Sequence, residues 1–412
     1  MRLRYFSLQM AFCIGMSISP LILLMHGLAQ FKILTLVDSV FSEASFGYSV
    51  ALVSLSMIVL GPLSGRISDR LYRKIEDRRI SVILGSLIGA LGLVIFAHSS
   101  GLLIARTSWI IASFGYSLSS VSCFALTASR VEVKKQGKTY GLIGIAIPLC
   151  SVCVGIISLG LLSGESLDKK IYSIIFFQIL SVILLFYRYR NDESFAAKNL
   201  TEGKSFLQIR EVVVRLVRNK DFRLLFLSGL FMNTAISGLK MMPLFYMVRL
   251  CLNEKQVYEL NSIMFAGTVF LFFSSFITGR IVDKFGHVLM LNVIGGGILV
   301  ACMVFYSMAE SMVLVIVVSC FFSFGLGVSG PARNILINMV LLDKKSYASD
   351  ISILHASNNI GSFLTGVFAP VIILYGKVWG GGDGYDVYFI LLSLLLLVSI
   401  LFLWKIQRYS FN

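Results

Sequence analysis

Apolar runs of about 18 to 28 residues alternate with short polar breaks from one end of this chain to the other. A run of about 20 apolar residues crosses a bilayer as an α-helix, because the helix closes its backbone hydrogen bonds where no water can. Twelve such helices are predicted. Six cover 5–30, 45–65, 79–98, 101–128, 139–162 and 171–188, and six cover 222–248, 257–279, 287–308, 311–340, 349–375 and 385–405. The longest polar stretch, 189–221, divides the two sets. The expected organisation is an all-α membrane protein with an N-terminal six-helix bundle (1–188), a cytoplasmic linker (189–221) and a C-terminal six-helix bundle (222–412). Ile209, Val212, Val213, Leu216 and Val217 recur at near-helical spacing within the linker, which predicts a short amphipathic helix on the membrane face. The first apolar run follows Arg2 and Arg4 and continues to Leu28 without a small-residue cleavage site, so it reads as a span rather than a signal peptide.

Composition agrees with this pattern. Charged residues make up 14% of the chain, against about a quarter in soluble domains. The net charge of +15 invites a nucleic-acid reading, but its distribution removes the need for one. With the predicted spans, 27 Lys and Arg fall on one side of the membrane, six on the other and three inside spans. That bias places both termini in the cytoplasm and predicts a multi-pass protein of a bacterial inner membrane. Cys150 and Cys153 form a C-x-x-C, but no second pair or histidine completes a site, so they read as small packing residues. Four scattered histidines offer no metal site. No phosphate-cradling GK[ST] loop and no catalytic cluster are found, so neither a cofactor nor an enzymatic activity is expected.

The chain repeats itself. GRISDR at Gly65–Arg70 returns as GRIVDK at Gly279–Lys284, 214 residues later, each after the second span of its set. Phe114–Ser119 (FGYSLS) is echoed by Phe324–Ser329 (FGLGVS) at an offset of 210. Such a duplication of six spans is an architecture of secondary transporters, with the substrate site near the midplane. Gly65, Asp69, Arg70, Arg73 and Lys74 match a G-x-x-x-D-[RK]-x-G-[RK]-[RK] signature, except that Tyr72 stands in place of its second glycine. The second copy has Gly279, Asp283, Lys284 and Gly286, followed by His287. With Arg218–Leu224 before the seventh span and Asn359-Ile360-Gly361 in the eleventh, these features resemble the major facilitator superfamily over essentially the whole chain. The resemblance implies two pseudo-symmetric six-helix bundles that move a small-molecule substrate by alternating access, and a gating role for the motif.

Gly65 is expected to let the second span approach a neighbour closely. Asp69 is expected to meet the positive N-terminus of the eleventh helix near Ser346–Asp350, and Arg130 at the base of the fourth. By symmetry, Asp283 is expected to meet the start of the fifth helix near Thr139.

Polar groups inside spans are the candidates for substrate or coupling-ion contact, since charge at that depth is costly. They are Arg106, Lys240, Arg333, Asn233, His26, His355, Asn358, Asn359 and Gln178. No Asp or Glu falls mid-span, which favours a neutral or anionic solute. Aromatic and Met-rich spans, with 32 Phe and 15 Met in the chain, favour export. The reading is a monomeric, proton-coupled efflux antiporter surrounded by membrane lipid. Uptake of an organic anion or sugar is the alternative, and a non-transporting membrane sensor or scaffold is the alternative of another class. The duplicated motif makes a direct prediction. Single cysteines introduced within 66–79 and within 280–286 should be labelled by an impermeant maleimide from the same face of the membrane, and labelling from opposite faces would remove the symmetry.

Overall fold

The computed structural model describes residues 2–37, 42–75, 77–130, 133–187, 220–340, 347–380 and 382–406. Among the described residues each of the twelve predicted spans is helical. In chain order the helices are α1 (Arg2–Leu23), α2 (Ala29–Leu34), α3 (Ser42–Ile75), α4 (Arg78–Ala97), α5 (Leu102–Arg130), α6 (Val133–Gly155) and α7 (Leu167–Tyr187). They continue with α8 (Lys220–Gly238), α9 (Met242–Arg249), α10 (Glu254–Gly267), α11 (Val269–Phe285), α12 (Val288–Ser307), α13 (Met312–Val340), α14 (Tyr347–Gly380) and α15 (Tyr385–Trp404). Fifteen helices cover twelve spans because three spans are interrupted. A π-turn at Leu24–Leu28 separates α1 from α2, a 3-10 turn at Leu239–Met241 separates α8 from α9, and a turn at Thr268 separates α10 from α11. Pro331 lies inside α13, which continues through it as one helix. The amphipathic segment expected in the linker lies outside the described residues.

The chain forms two compact units, Met1–Thr201 with Asn253–Phe265, and Glu202–Leu252 with Ala266–Asn412. The first unit therefore includes most of α10, a helix from late in the sequence. Its core is built where α1, α4, α5, α6 and α7 meet, around Met10, Cys13, Ile14, Val82, Cys123 and Ile143. The second unit centres on Phe222, Leu225, Val288, Leu291, Ala332 and Leu336, from α8, α12 and α13.

In each unit the third and fourth spans are packed backbone to backbone. A Cβ added to Gly85 of α4 would lie 2.5 Å from Ser119 N and 2.7 Å from Gly115 O, both on α5. In the second unit, a Cβ on Gly295 of α12 would lie 2.7 Å from Ser329 N and 3.0 Å from Gly325 O, both on α13. Gly85 and Gly295, Gly115 and Gly325, and Ser119 and Ser329 are each 210 residues apart. The sequence echo is thus a repeated three-residue contact. In lipid the tails are as apolar as the side chains, so such small-residue contacts supply the packing energy that holds helices together. By contrast, among the described residues a Cβ at Gly65 would meet only Val121, at an ordinary 3.8 Å, and one at Gly279 would meet none within 4 Å.

Overpacking of this kind costs about 1–3 kcal/mol. Gly115→Ala should therefore lower the unfolding temperature in detergent, followed by intrinsic fluorescence. Gly297→Ala, on an open face of α12, should leave it unchanged or raise it slightly. Equal midpoints for the two variants would show that the α4–α5 contact is not tight.

Candidate functional site

In the second unit the predicted polar residues gather on α8. Gly361 of α14 has no room for a side chain, since a Cβ there would sit 2.7 Å from Thr234 N. That close approach lets short side chains bridge the two helices. Asn233 Nδ2 donates to Ser357 Oγ at 2.8 Å, Thr365 Oγ1 donates to Thr234 O at 2.8 Å, and the Ser237 and Ser362 hydroxyls are 2.9 Å apart. Lys240, in the 3-10 turn at the end of α8, donates from Nζ to Ser362 Oγ at 2.8 Å. Arg333 reaches α8 from α13, donating to Leu225 O at 3.2 Å and to Ser228 Oγ at 3.4 Å. Its Nη2 fills the notch left by Gly229, which Ser357 also borders. Arg333, Ser357 and Asn233 are therefore contiguous, and Lys240 lies further along the same seam. Ser357 and Ser362 escape sequence reading because buried serines are common in these helices. The usable signal was two serines flanking a glycine in one apolar run.

In the first unit the first span is broken at His26 and Gly27. His26 has φ −100° and ψ 43°, and Gly27 has φ 124°, a left-handed conformation that favours glycine. Three of the peptide groups at the break are taken up by carboxamides. Gly27 N–H donates to Gln30 Oε1 at 2.8 Å, Gln30 Nε2 donates to Met25 O at 3.0 Å, and Asn261 Nδ2 of α10 donates to His26 O at 2.9 Å. The His26 ring lies 5.1 Å from that of Phe265. Nearby on α10, the Tyr258 ring carries the Lys170 ammonium 4.0 Å from its centroid, and Lys170 donates to Glu165 O at 2.7 Å. Gln30, Asn261 and Tyr258 were not foreseen. A glutamine three residues after a glycine inside an apolar run was the legible part of that cap.

The two breaks correspond. His26 and Lys240 are 214 residues apart, the spacing of the two motif copies. The leading helix of each six-span set is therefore interrupted at the same place, and each interruption bears a nitrogen able to take up a proton. Discontinuous helices of this kind mark substrate and ion sites in transporters.

A family model described as Major Facilitator Superfamily matches residues 5–341. The chain belongs to that superfamily. It is a secondary transporter with the twelve-span fold. Solved structures agree over the whole chain. A mutant of the nucleoside transporter NupG superposes with a TM-score of 0.74 at 13% identity, covering 98% of this chain and 100% of that one. A D-xylose–proton symporter gives 0.72 at 15% identity, covering 98% of both chains. A bacterial homologue of the human lysosomal transporter Spinster, inward-facing and occupied, gives 0.70 at 13%, covering 99% and 98%. These identities carry the fold alone. No curated protein matches the chain in sequence.

The transporter's motif is described at Asp69 and its basic neighbours. Asp69 Oδ1 accepts from Arg78 Nη2 at 2.9 Å, at the start of α4. The side chains of Arg73, Arg130, Asp283 and His355 lie outside the described residues, as do those at the start of α14 and at Thr139, so the anticipated contacts of Asp69 and Asp283 do too. Arg70 and Lys74 are exposed, and Lys284 is exposed over the Phe285 ring. Arg106 turns to α3, donating to Ser49 Oγ at 2.9 Å and Ser45 O at 3.3 Å, so it ties two helices of the first unit. Gln178 is buried in α7, and among the described residues neither of its amide atoms has a hydrogen-bond partner. Asn358 is exposed and Asn359 half-buried on α14.

The cap on the first break is testable. A hydrogen bond to a buried group contributes about 1 kcal/mol, and leaving the group unsatisfied costs about 1–3. Gln30→Leu strands two peptide groups at once, whereas Asn261→Leu strands one. In detergent, Gln30→Leu should lower the unfolding temperature more than Asn261→Leu; the reverse order would show that the local carboxamide is not the main cap.

Proposed function

We propose that this secondary transporter exports a small organic solute, neutral or anionic, in exchange for protons across a bacterial inner membrane, with both termini cytoplasmic. The observation that carries the reading is the matched pair of helix breaks bearing His26 and Lys240. Each break sets a nitrogen able to take up a proton within a span, where its protonation can be coupled to a solute's passage. The nature of the solute follows from charge. Among the described residues, the carboxylates stand in turns or within two helical turns of a helix end, as Asp69, Asp77, Glu165, Glu254, Glu310 and Asp383 do, and Glu259, in the second turn of α10, is exposed and paired with Lys255. The seam on α8 offers an ammonium, a guanidinium, hydroxyls and a carboxamide, a set that accepts negative charge or hydroxyl groups. Export rests on the abundance of Phe and Met. Uptake of an organic anion or sugar by the same chain is the second reading, favoured by the cations Lys240 and Arg333 on α8.

A counterflow screen in proteoliposomes tests both readings. With the solute found, an imposed pH gradient should drive its accumulation, and the sign of the effective gradient separates antiport from symport. Loss of one charge-assisted hydrogen bond, worth about 1.5–3 kcal/mol, should raise the apparent Kd by about tenfold or more in Lys240→Gln and in Arg333→Gln. Wild-type affinity in both variants would remove the seam on α8 from the solute path. Transport indifferent to pH gradients would remove proton coupling.

A further inference from the structure

In the second unit α8 is gripped from two sides, and the grip leaves a hollow. Gly361 of α14 rests on Thr234, and Gly238 of α8 gives up its side-chain space to Leu392 and Tyr388 of α15. Further along, α14 touches the turn before α15 at Gly376 and Gly384. Between these contacts the three helices frame a cavity of about 350 Å³. Thr234 of α8 lies on its floor. Its walls run along α14 from Leu364 to Ile372 and along α15 from Tyr388 to Leu395. The polar side chains on this lining are Thr234, Thr365 and Tyr388, and each donates inside the protein. Thr234 Oγ1 donates to Leu230 O at 2.7 Å, Thr365 Oγ1 to Thr234 O at 2.8 Å, and the Tyr388 hydroxyl to Gly238 O at 3.0 Å. A polar occupant would find no free side-chain donor there.

The position of the cavity indicates which occupant is at hand. Its rim includes Phe368, which is 53% exposed. Exposed Val371, Leu374 and Val378 continue from there along α14, and exposed Ile390, Leu394, Leu397 and Leu401 run along α15. Both stripes are apolar, and the second ends on exposed Trp404, as a lipid-facing stripe does at the membrane boundary. Leu391 and Leu395 stand about 9 and 15 Å from the start of α15, within a hydrocarbon layer about 30 Å thick. At that depth a bilayer presents acyl chains and not head groups. Apolar cavities stay dry, and one of about 150 Å³ takes up benzene; this one is more than twice as large. Left empty, its walls would lose packing contacts, and a hydrocarbon chain restores them with no polar group to strip of water.

We propose that this cavity houses one acyl chain of a membrane lipid, inserted sideways between α14 and α15 at the middle of the bilayer. The head group takes no part, so the site selects a chain and not a charge. Seated there, the chain packs against Thr234 and Thr365, whose hydrogen bond helps to tie α8 to α14. It thereby supports the seam that bears Asn233 and Lys240, whichever solute the transporter moves.

The test uses the full-length transporter in nanodiscs of a phosphatidylcholine that carries a diazirine midway along one acyl chain. Irradiation releases N2 and leaves a carbene that inserts into a nearby C–H bond, and mass spectrometry locates the adducts. Surrounding lipid reaches the exposed Leu397 and Leu401. It does not reach Ala369 and Leu392, which line the cavity and are 1% and 2% accessible. Adducts at Ala369 and Leu392 are expected in the wild type, and a diazirine on the head group should give none there. Ala369→Phe fills the cavity, so it should abolish the Leu392 adduct and leave those at Leu397 and Leu401 unchanged. Should Ala369→Phe fail to fold, Leu395→Trp fills the cavity from its half-buried rim, and the Leu392 adduct should again be lost. Wild-type adducts confined to Leu397 and Leu401 overturn the site, as does a Leu392 adduct that survives filling. A free apolar molecule is the competing occupant. If a diazirine-bearing alkane labels Leu392 and the lipid does not, the acyl-chain assignment is overturned in favour of a soluble apolar ligand.

Discussion

Close backbone contact between the third and fourth spans of each unit is the constraint on which the rest of this transporter depends. The bilayer supplies no hydrophobic force between helices, so cohesion must come from contact area and from polar groups that find each other. Gly85 against Gly115 and Ser119, and Gly295 against Gly325 and Ser329, meet that need with the same three residue positions in both halves. Both first spans are broken, one at His26 and Gly27 and the other at Leu239–Met241.

The halves are alike in frame and unlike in content. The seam between α1 and α6 carries Ser19 and Ser151, with hydroxyls 3.1 Å apart, and Gly15 pressed against Cys150. The seam between α8 and α14 has the same kind of glycine contact, but adds Asn233, Thr234 and Lys240, and receives Arg333 from α13. The first unit keeps its specialised chemistry at the His26 break, where carboxamides do the capping. Duplication therefore preserved the packing, and divergence separated a cation-rich seam from a neutral hinge.

How much of this could be read from the sequence follows from the range of each interaction. The spans were legible because bilayer thickness fixes a run length that few other constraints impose. The duplication was legible because charged motifs stand out in an apolar chain. The glycine seam was missed: the motif's Gly65 drew attention, whereas the pattern that marks the α4–α5 contact is Gly85, Gly89 and Gly92, small residues recurring along one face of α4. The Asp69–Arg78 pair was hidden because Arg78 looked like one more basic residue in a topology signal. The lining of the α8 seam was half visible, since Asn233, Lys240 and Arg333 are conspicuous in a span and their serine partners are not. Asn261 could not have been assigned, because its partner lies 235 residues away and nothing local relates them.

That last distance has a consequence for biosynthesis. The ribosome adds about 5–20 residues per second, so the His26 carbonyl waits on the order of tens of seconds before α10 emerges to receive it. Over that interval the nascent first span has only its own Gln30 to quiet the kink, binding Gly27 and Met25 from within the same helix. The early segment can thus enter lipid with its bend already dressed, and the late-arriving asparagine finishes a joint that was laid down near the start of translation.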